Sequence, residues 1–249
     1  MITDRMGLLH DVADAVGAAM QTVTDWGPSG DREGQYSLDL VADSAALGVL
    51  RASAAGVGVM SEESGFDPGT TGEIVVLDPI DGSTNASRGI PWFATSLCFV
   101  DEHGPAAALV VNQATGVRFS AQRGAGAWCG ERRLRPSNCS ELSEAIVIVS
   151  AVPPHDVGWA QFRAMGACAL DLCALADGVV DGYVDFGSEQ HGVWDYLGGW
   201  LICSEAGIDV LDAFDRPMMH MDHPARRTPV AAATDDLRAH LLSARRRSA

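Results

Sequence analysis

The residues best equipped for chemistry lie in one short run. Ile74-Val75-Val76-Leu77 leads into Asp78-Pro79-Ile80-Asp81, and Gly82-Ser83-Thr84-Asn85 follows. Four consecutive apolar residues read as a buried strand. At the strand's end the chain leaves the sheet with side chains and backbone groups unpaired. Carboxylates at i and i+3 around a proline can turn toward one point, with the Ile80 carbonyl between them as a third oxygen ligand. Hard oxygen donors suit Mg2+ or Mn2+ rather than zinc. The backbone N–H groups of Gly82-Ser83-Thr84 can bind an anion, especially if they open a helix. The same residue types also build a plain connecting turn, so the run by itself leaves both readings open.

Four more carboxylates, at three places in the chain, could complete such a site. Glu62 and Glu63 follow a short apolar run and belong either on a neighbouring strand end or in a solvated acidic loop. Asp195 begins a helical pattern with Trp194, and Asp39 lies near the start of another. In both places the helix dipole favours an aspartate whether or not it has a further role.

The elements that must position these groups can be read from periodicity. Residues 7 to 26 place Leu8, Leu9, Val12, Val16, Ala19, Met20 and Val23 on one helical face, with Gly27-Pro28 as the stop. Gly30 to Gly34 is a polar loop. A second helix starts near Ser37, a plausible N-cap, and carries Leu38, Val41, Ala45, Leu47 and Leu50 inward. Strands are expected at 57–60 and 74–77, and an antiparallel meander at 93–100, 106–111 and 116–121. Residues 124–128 make a tight connection, and a strand resumes at 146–149. A helix is expected over 159–177, a strand over 179–186, and a helix over 194–206 capped by Gly207. Short strands at 208–211 and 229–233 and a closing helix at 234–244 finish the chain, with Arg245-Arg246-Arg247 as a solvated tail. Helices and strands in this order predict a layered α+β or α/β body. It divides into two subdomains sharing one unit, 1–122 with most of the metal ligands and 123–249 completing the site.

Composition narrows the function. The chain has 249 residues, 47% of them hydrophobic, so it can bury a sizeable core. A net charge of −16 argues against nucleic-acid or anionic-membrane partners. A phosphorylated substrate remains compatible if metal ions invert the local potential. All 17 basic residues counted as Lys+Arg are arginine. That excludes Schiff-base chemistry and a P-loop lysine. The six cysteines form no Cys-x-x-Cys pair and read as buried small hydrophobes in a reducing compartment. No signal-peptide pattern and no apolar run near the ~20 residues of a membrane span occur, which points to a cytoplasmic protein.

The pieces together resemble a family. Ser61-Glu62-Glu63-Ser64, the Asp78–Asn85 run, and Trp194-Asp195-Tyr196-Leu197-Gly198-Gly199 with Glu205-Ala206-Gly207 occur in the order seen in inositol monophosphatases, which are Mg2+-dependent and lithium-sensitive. Gly89-Ile90-Pro91-Trp92-Phe93-Ala94 and Arg163-Ala164-Met165-Gly166 extend the resemblance over most of the chain. It implies a layered α/β/α/β/α sandwich of the inositol monophosphatase/fructose-1,6-bisphosphatase type, usually a homodimer. Position by position, it implies that Glu62, Asp78 and the Ile80 carbonyl bind one Mg2+, and that Asp78, Asp81 and Asp195 bind a second. Glu62 would help hold a third, and Mn2+ could substitute. Ser83 would pair with Asp39 to activate water, and the Gly82 and Ser83 amides would hold the phosphate. Asp185, Gly166, Ala167 and Asp195 would line the substrate. The family's lysine upstream of Asp39 is absent here, with Arg32 as its stand-in. The implied reaction is hydrolysis of a small phosphomonoester, foremost an inositol monophosphate, with no phosphoenzyme. Same-fold substrates such as a 3′-phosphoadenosine nucleotide, fructose bisphosphate or histidinol phosphate stay open, as does a non-catalytic binding role. A haloacid-dehalogenase mechanism is set aside, because it needs Asp-x-Asp where this chain has Asp-x-x-Asp.

Overall fold

A computed structural model describes residues 4–30, 35–187 and 189–248. Most of the Gly30–Gly34 loop, including Arg32, lies outside the described residues. Helices α1 (Arg5–Met20) and α2 (Ser37–Ser53) come first. Strands β1 (Gly58–Ser61), β2 (Gly65–Asp67) and β3 (Ile74–Asp81) follow, then the short α3 (Ser83–Arg88). Strands β4 (Ala94–Asp101), β5 (Gly104–Asn112), β6 (Arg118–Gln122), β7 (Gly126–Cys129) and β8 (Arg132–Arg133) complete one sheet in the order β2-β1-β3-β4-β5-β6-β7-β8. A second sheet, β10-β9-β11-β13-β12, is built from β9 (Ile146–Val149), β10 (Gln161–Arg163), β11 (Gly182–Val184), β12 (Val210–Asp212) and β13 (Pro229–Ala232). Helices α4 (Cys168–Ala176), α5 (Val193–Ala206) and α6 (Asp235–Arg246) belong to this half of the chain.

Strand alternation sorts these elements into layers. On β3, Val75 and Leu77 face one side with Leu97 and Phe99, and they meet Leu9, Val12 and Val16 of α1 and Leu38 and Leu50 of α2. Val76, Cys98 and Val110 face the other side and meet Leu172 of α4 and Leu197 and Ile202 of α5. Ile148, Tyr183 and Ala231 of the second sheet join that same core. The far side of the second sheet, with Val147, Val149, Val184 and Val230, packs on Leu237 and Leu241 of α6. The result is the α/β/α/β/α sandwich, each sheet burying both faces as period-two strands require.

Several local expectations change. Helix α1 ends at Met20 rather than at Gly27, because the β-branched run Thr22-Val23-Thr24 is a poor helix continuation. Tyr36, not Ser37, is the N-cap of α2, and its buried stripe is Leu38, Ala42, Ala46 and Leu50. Val41 is exposed, while Asp39 and Asp43 face inward. The expected 159–177 helix is two elements. Residues 161–163 pair in parallel with β9, and Gly166, at φ 84°, breaks the chain before α4 begins at Cys168. Residues 124–128 do more than connect, because Gly126–Cys129 is strand β7. The basic tail is not fully solvated: Arg245 is buried and donates to the Asp185 carbonyl at 2.6 Å and the Gly187 carbonyl at 2.9 Å.

Candidate active site

Register brings the first two carboxylates together. β1 runs parallel to β3 with Ser61 opposite Leu77, so Glu62 emerges beside Asp78. The Glu62 N–H donates to the Leu77 carbonyl at 3.2 Å, which carries the pairing one residue beyond the strand. The β3–β4 register is irregular between Asp78 and Asp81, so Pro79 and Ile80 lift out of the ladder. The Asp78 carboxylate accepts the Ile80 N–H at 3.0 Å.

The third carboxylate arrives from α5. Asp195 sits in the helix's first turn and accepts the Gly192 N–H at 2.7 Å. A β-carbon on Gly198 would lie 3.0 Å from Ser96 Oγ, and one on Gly199 would lie 2.8 Å from Leu172 Cβ. The two glycines therefore let α5 sit tight against β4 and α4. Ser96 Oγ also donates to the Trp194 carbonyl at 3.2 Å, fixing the helix start over the sheet. Glu62, Asp78 and Asp195 thus each present a carboxylate oxygen, all within 4.8 Å of one another.

Such a cluster is electrostatically costly by itself. At this spacing like charges repel by roughly 3–4 kcal/mol per pair at an effective dielectric of about 20. Burial, followed by the charges of Glu62, Asp81 and Asp195, holds the Asp78 carboxyl well above the usual range. Burial and Asp195 do the same for Asp81. No arginine among the described residues pairs with Asp78 or Asp81. An all-oxygen donor set with excess negative charge fits a divalent cation of the Mg2+ or Mn2+ type.

The remaining expected residues are placed as follows. Asp81 is outside the group of three, and its Oδ2 accepts the Ala169 N–H at 2.6 Å. Gly82 adopts φ 90°, and a β-carbon there would meet Ala167 Cβ, the Gly166 carbonyl and the Trp92 carbonyl, each at 3.1 Å. Gly166 and Ala167 therefore do lie against the 82–85 turn, and Asn85 Nδ2 donates to the Trp92 and Met165 carbonyls, both at 2.7 Å. Among the described hydrogen bonds, none joins Ser83 directly to Asp39. Ser83 opens α3 and its hydroxyl turns back three residues to the Ile80 carbonyl at 2.9 Å. Asp39 is buried in the first turn of α2, accepting the Tyr36 N–H at 2.9 Å. Asp185 is fully enclosed, with Oδ1 accepting from the Ser150 hydroxyl and from Gly187 N at 2.6 Å.

Sequence reasoning passed over His191. Its Nδ1 lies 3.6 Å from Asp195, its Nε2 3.9 Å from Asp185, and Nε2 meets the Tyr183 hydroxyl at 3.0 Å. Burial opposes its cation, but Asp195, then Asp185 and Asp81, outweigh that and lift its pKa to about 8. The available signal was its position four residues before Asp195.

Glu62 just past β1, Asp78 within β3 and Asp195 in the first turn of α5 form an acidic cluster in a five-layer sandwich, with the oxygen-donor chemistry of a candidate divalent-metal site. A family model described as the inositol monophosphatase family matches residues 12–249, and the chain belongs to that family. Its predicted class, phosphoric monoester hydrolase, follows from that membership. Among curated relatives it is 34% identical over 192 residues to the Nus factor SuhB of Vibrio cholerae, covering 71% of this chain and 70% of that protein. It is 30% identical over 250 residues to the fructose-1,6-bisphosphatase/inositol-1-monophosphatase of Archaeoglobus fulgidus, covering 96% and 97%. The fold matches the crystal structure of the extragenic suppressor protein SuhB from Bartonella henselae with a TM-score of 0.82 at 24% identity, covering 98% of this chain and 99% of that one. No helix among the described residues is long and apolar enough to cross a membrane.

Proposed function

We propose that the protein hydrolyses a small phosphomonoester, with myo-inositol 1-phosphate as the foremost candidate, in a Mg2+-dependent reaction without a phosphoenzyme. The observation that carries this reading is the convergence of Glu62, Asp78 and Asp195. These three, with the Ile80 carbonyl and Asp81, are the residues that would hold the ions. Bound Mg2+ supplies charge neutralisation and a lowered pKa for water. The chain's own part is positional. Gly82 and Ser83 head a helix, where N–H groups lack intrahelical partners and can donate to phosphate oxygens. The Ser83 hydroxyl, its own hydrogen directed at Ile80, keeps lone pairs with which to orient water, and Asp39 and Glu62 are the carboxylates this reading assigns to take the water's proton. Gly166, Ala167, Asp185 and Asp195 would border the leaving group. Lithium inhibition, a homodimer and a cytoplasmic location belong to the same reading.

A second reading, a binding or regulatory role, is favoured by one observation: several relatives carry the name Nus factor. A net charge of −16 works against a nucleic-acid-binding face. One screen separates the two readings. Phosphorylated metabolites, including inositol monophosphates, fructose bisphosphate, histidinol phosphate and 3′-phosphoadenosine nucleotides, are incubated with Mg2+, with and without Li+. Turnover of an inositol monophosphate that Li+ suppresses supports the proposal. Preference for a nucleotide or a bisphosphate overturns the substrate, and no turnover of any monoester favours the binding role.

A further inference from the structure

We propose that His223 is a positioning residue that clamps the end of β1 to the start of α5, so that Glu62 and Asp195 stay within reach of one divalent ion. This rests on the metal reading of the carboxylate cluster and adds a residue that is not itself a ligand. His223 Nε2 lies 3.0 Å from the Ser61 carbonyl. The carbonyl can only accept, so Nε2 carries the hydrogen. The same ring packs on Trp194, centroids 4.5 Å apart and planes at 38°. Ser61 and Trp194 are the residues immediately before Glu62 and Asp195, so one side chain touches both walls of the cluster.

The rest of the segment reinforces the contact. The Arg226 guanidinium stands 5.1 Å over the Trp194 ring and is turned back by a 2.8 Å bond to the His223 carbonyl. The Arg227 N–H donates to the His191 carbonyl at 2.8 Å, next to Gly192, whose own N–H holds Asp195. Ser61 is fixed from the opposite side, its hydroxyl donating to Asp43 at 2.5 Å. The cluster's carboxylates repel one another, so the walls need such a tie. Groups that orient ligands from behind typically change metal affinity by about 10–100-fold when removed.

The test measures Mn2+ binding to the full chain by electron paramagnetic resonance after chelation, with no substrate present. Wild type is expected to bind and Asp78→Asn to lose binding. Absence of binding in wild type, or binding unchanged in Asp78→Asn, overturns the metal reading itself. Given that site, His223→Ala is expected to weaken Mn2+ binding by about tenfold or more. His223→Gln, which keeps a donor, is expected to recover part of the loss, and the exposed His103→Ala to change nothing. A folded His223→Ala with Mn2+ affinity within about twofold of wild type overturns the clamp, as does equal weakening in the Ala and Gln variants. If His223→Ala fails to fold, His223→Phe keeps a ring on Trp194 without the donor. It is expected to bind weakly, and wild-type affinity there overturns the proposal.

Discussion

Glu62 and Asp195 present carboxylate oxygens within 4.8 Å of each other, although Glu62 follows β1 and Asp195 sits in the first turn of α5. Asp78 belongs to the same group, and no arginine among the described residues pairs with it. Replacing Asp78 with asparagine therefore removes a buried negative charge while keeping an oxygen to accept the Ile80 N–H. Asp78→Asn is expected to lose phosphatase activity by about a hundredfold or more, since it removes a shared ion ligand. In EDTA its melting temperature is expected to equal or exceed that of wild type. Near-normal turnover, or a collapse of the metal-free fold, would contradict the account.

Asp171 gives a pH dependence with a definite sign. Burial lifts its pKa to about 7, against which the Trp92 Nε1 bond at 2.8 Å works only in part. An unfolded aspartate titrates near about 3.9, so the folded state holds this proton more tightly. The group's contribution to stability is full below pH ~4, declines as pH rises, and levels off above pH ~7, a loss of up to about 4 kcal/mol. Asp171→Asn keeps the acceptor for Trp92 and removes the titration. Its stability gain over wild type in urea unfolding is expected to be larger at pH 8 than at pH 5; an equal difference at both would count against it.

Arg245 ties α6 to the segment that carries His191. Arg245→Ala leaves the Asp185 and Gly187 carbonyls without their donor in a buried setting. It is expected to destabilise the protein by about 2–4 kcal/mol. Arg247→Ala, two residues on and exposed, is expected to stay within about 0.5 kcal/mol. Denaturant midpoints of the two variants check the contrast.

Gly82 holds a left-handed backbone at φ 90° with three atoms waiting 3.1 Å from any added β-carbon, two of them backbone oxygens. Gly82→Ala is expected to destabilise by about 1–3 kcal/mol. It should lower turnover as well, because the head of α3 shifts against Gly166 and Ala167. Wild-type kcat in a well-folded variant would show that the turn has more freedom than the geometry allows.

What the sequence could express depended on locality. The apolar tetrad before Asp78 and the period-two strands of the meander are local signals, and they locate the central strands of the first sheet. The five-layer order rested on the family resemblance, and the fold agrees. The inward turn of Asp39 and Asp43 was obscured because α2's stripe is largely alanine, which weakens its hydrophobic contrast. The false helix over 159–177 arose because apolar spacing continued through Gly166, whose positive φ ends it. Arg245 and His223 carry no local pattern: their roles exist only through contacts with Asp185, Gly187, Ser61 and Trp194, all distant in sequence. The Ser83 hydroxyl illustrates the same limit, since its bond to Ile80 is set by the α3 opening and not by residue type.

The most direct measurement is phosphate release from myo-inositol 1-phosphate as Mg2+ is added to the chelated protein, for wild type and for Asp195→Asn. The account expects no release in EDTA, saturable release with Mg2+ in wild type, and at least about a hundredfold less in Asp195→Asn. Release that persists in EDTA, or that Asp195→Asn leaves unchanged, would contradict it.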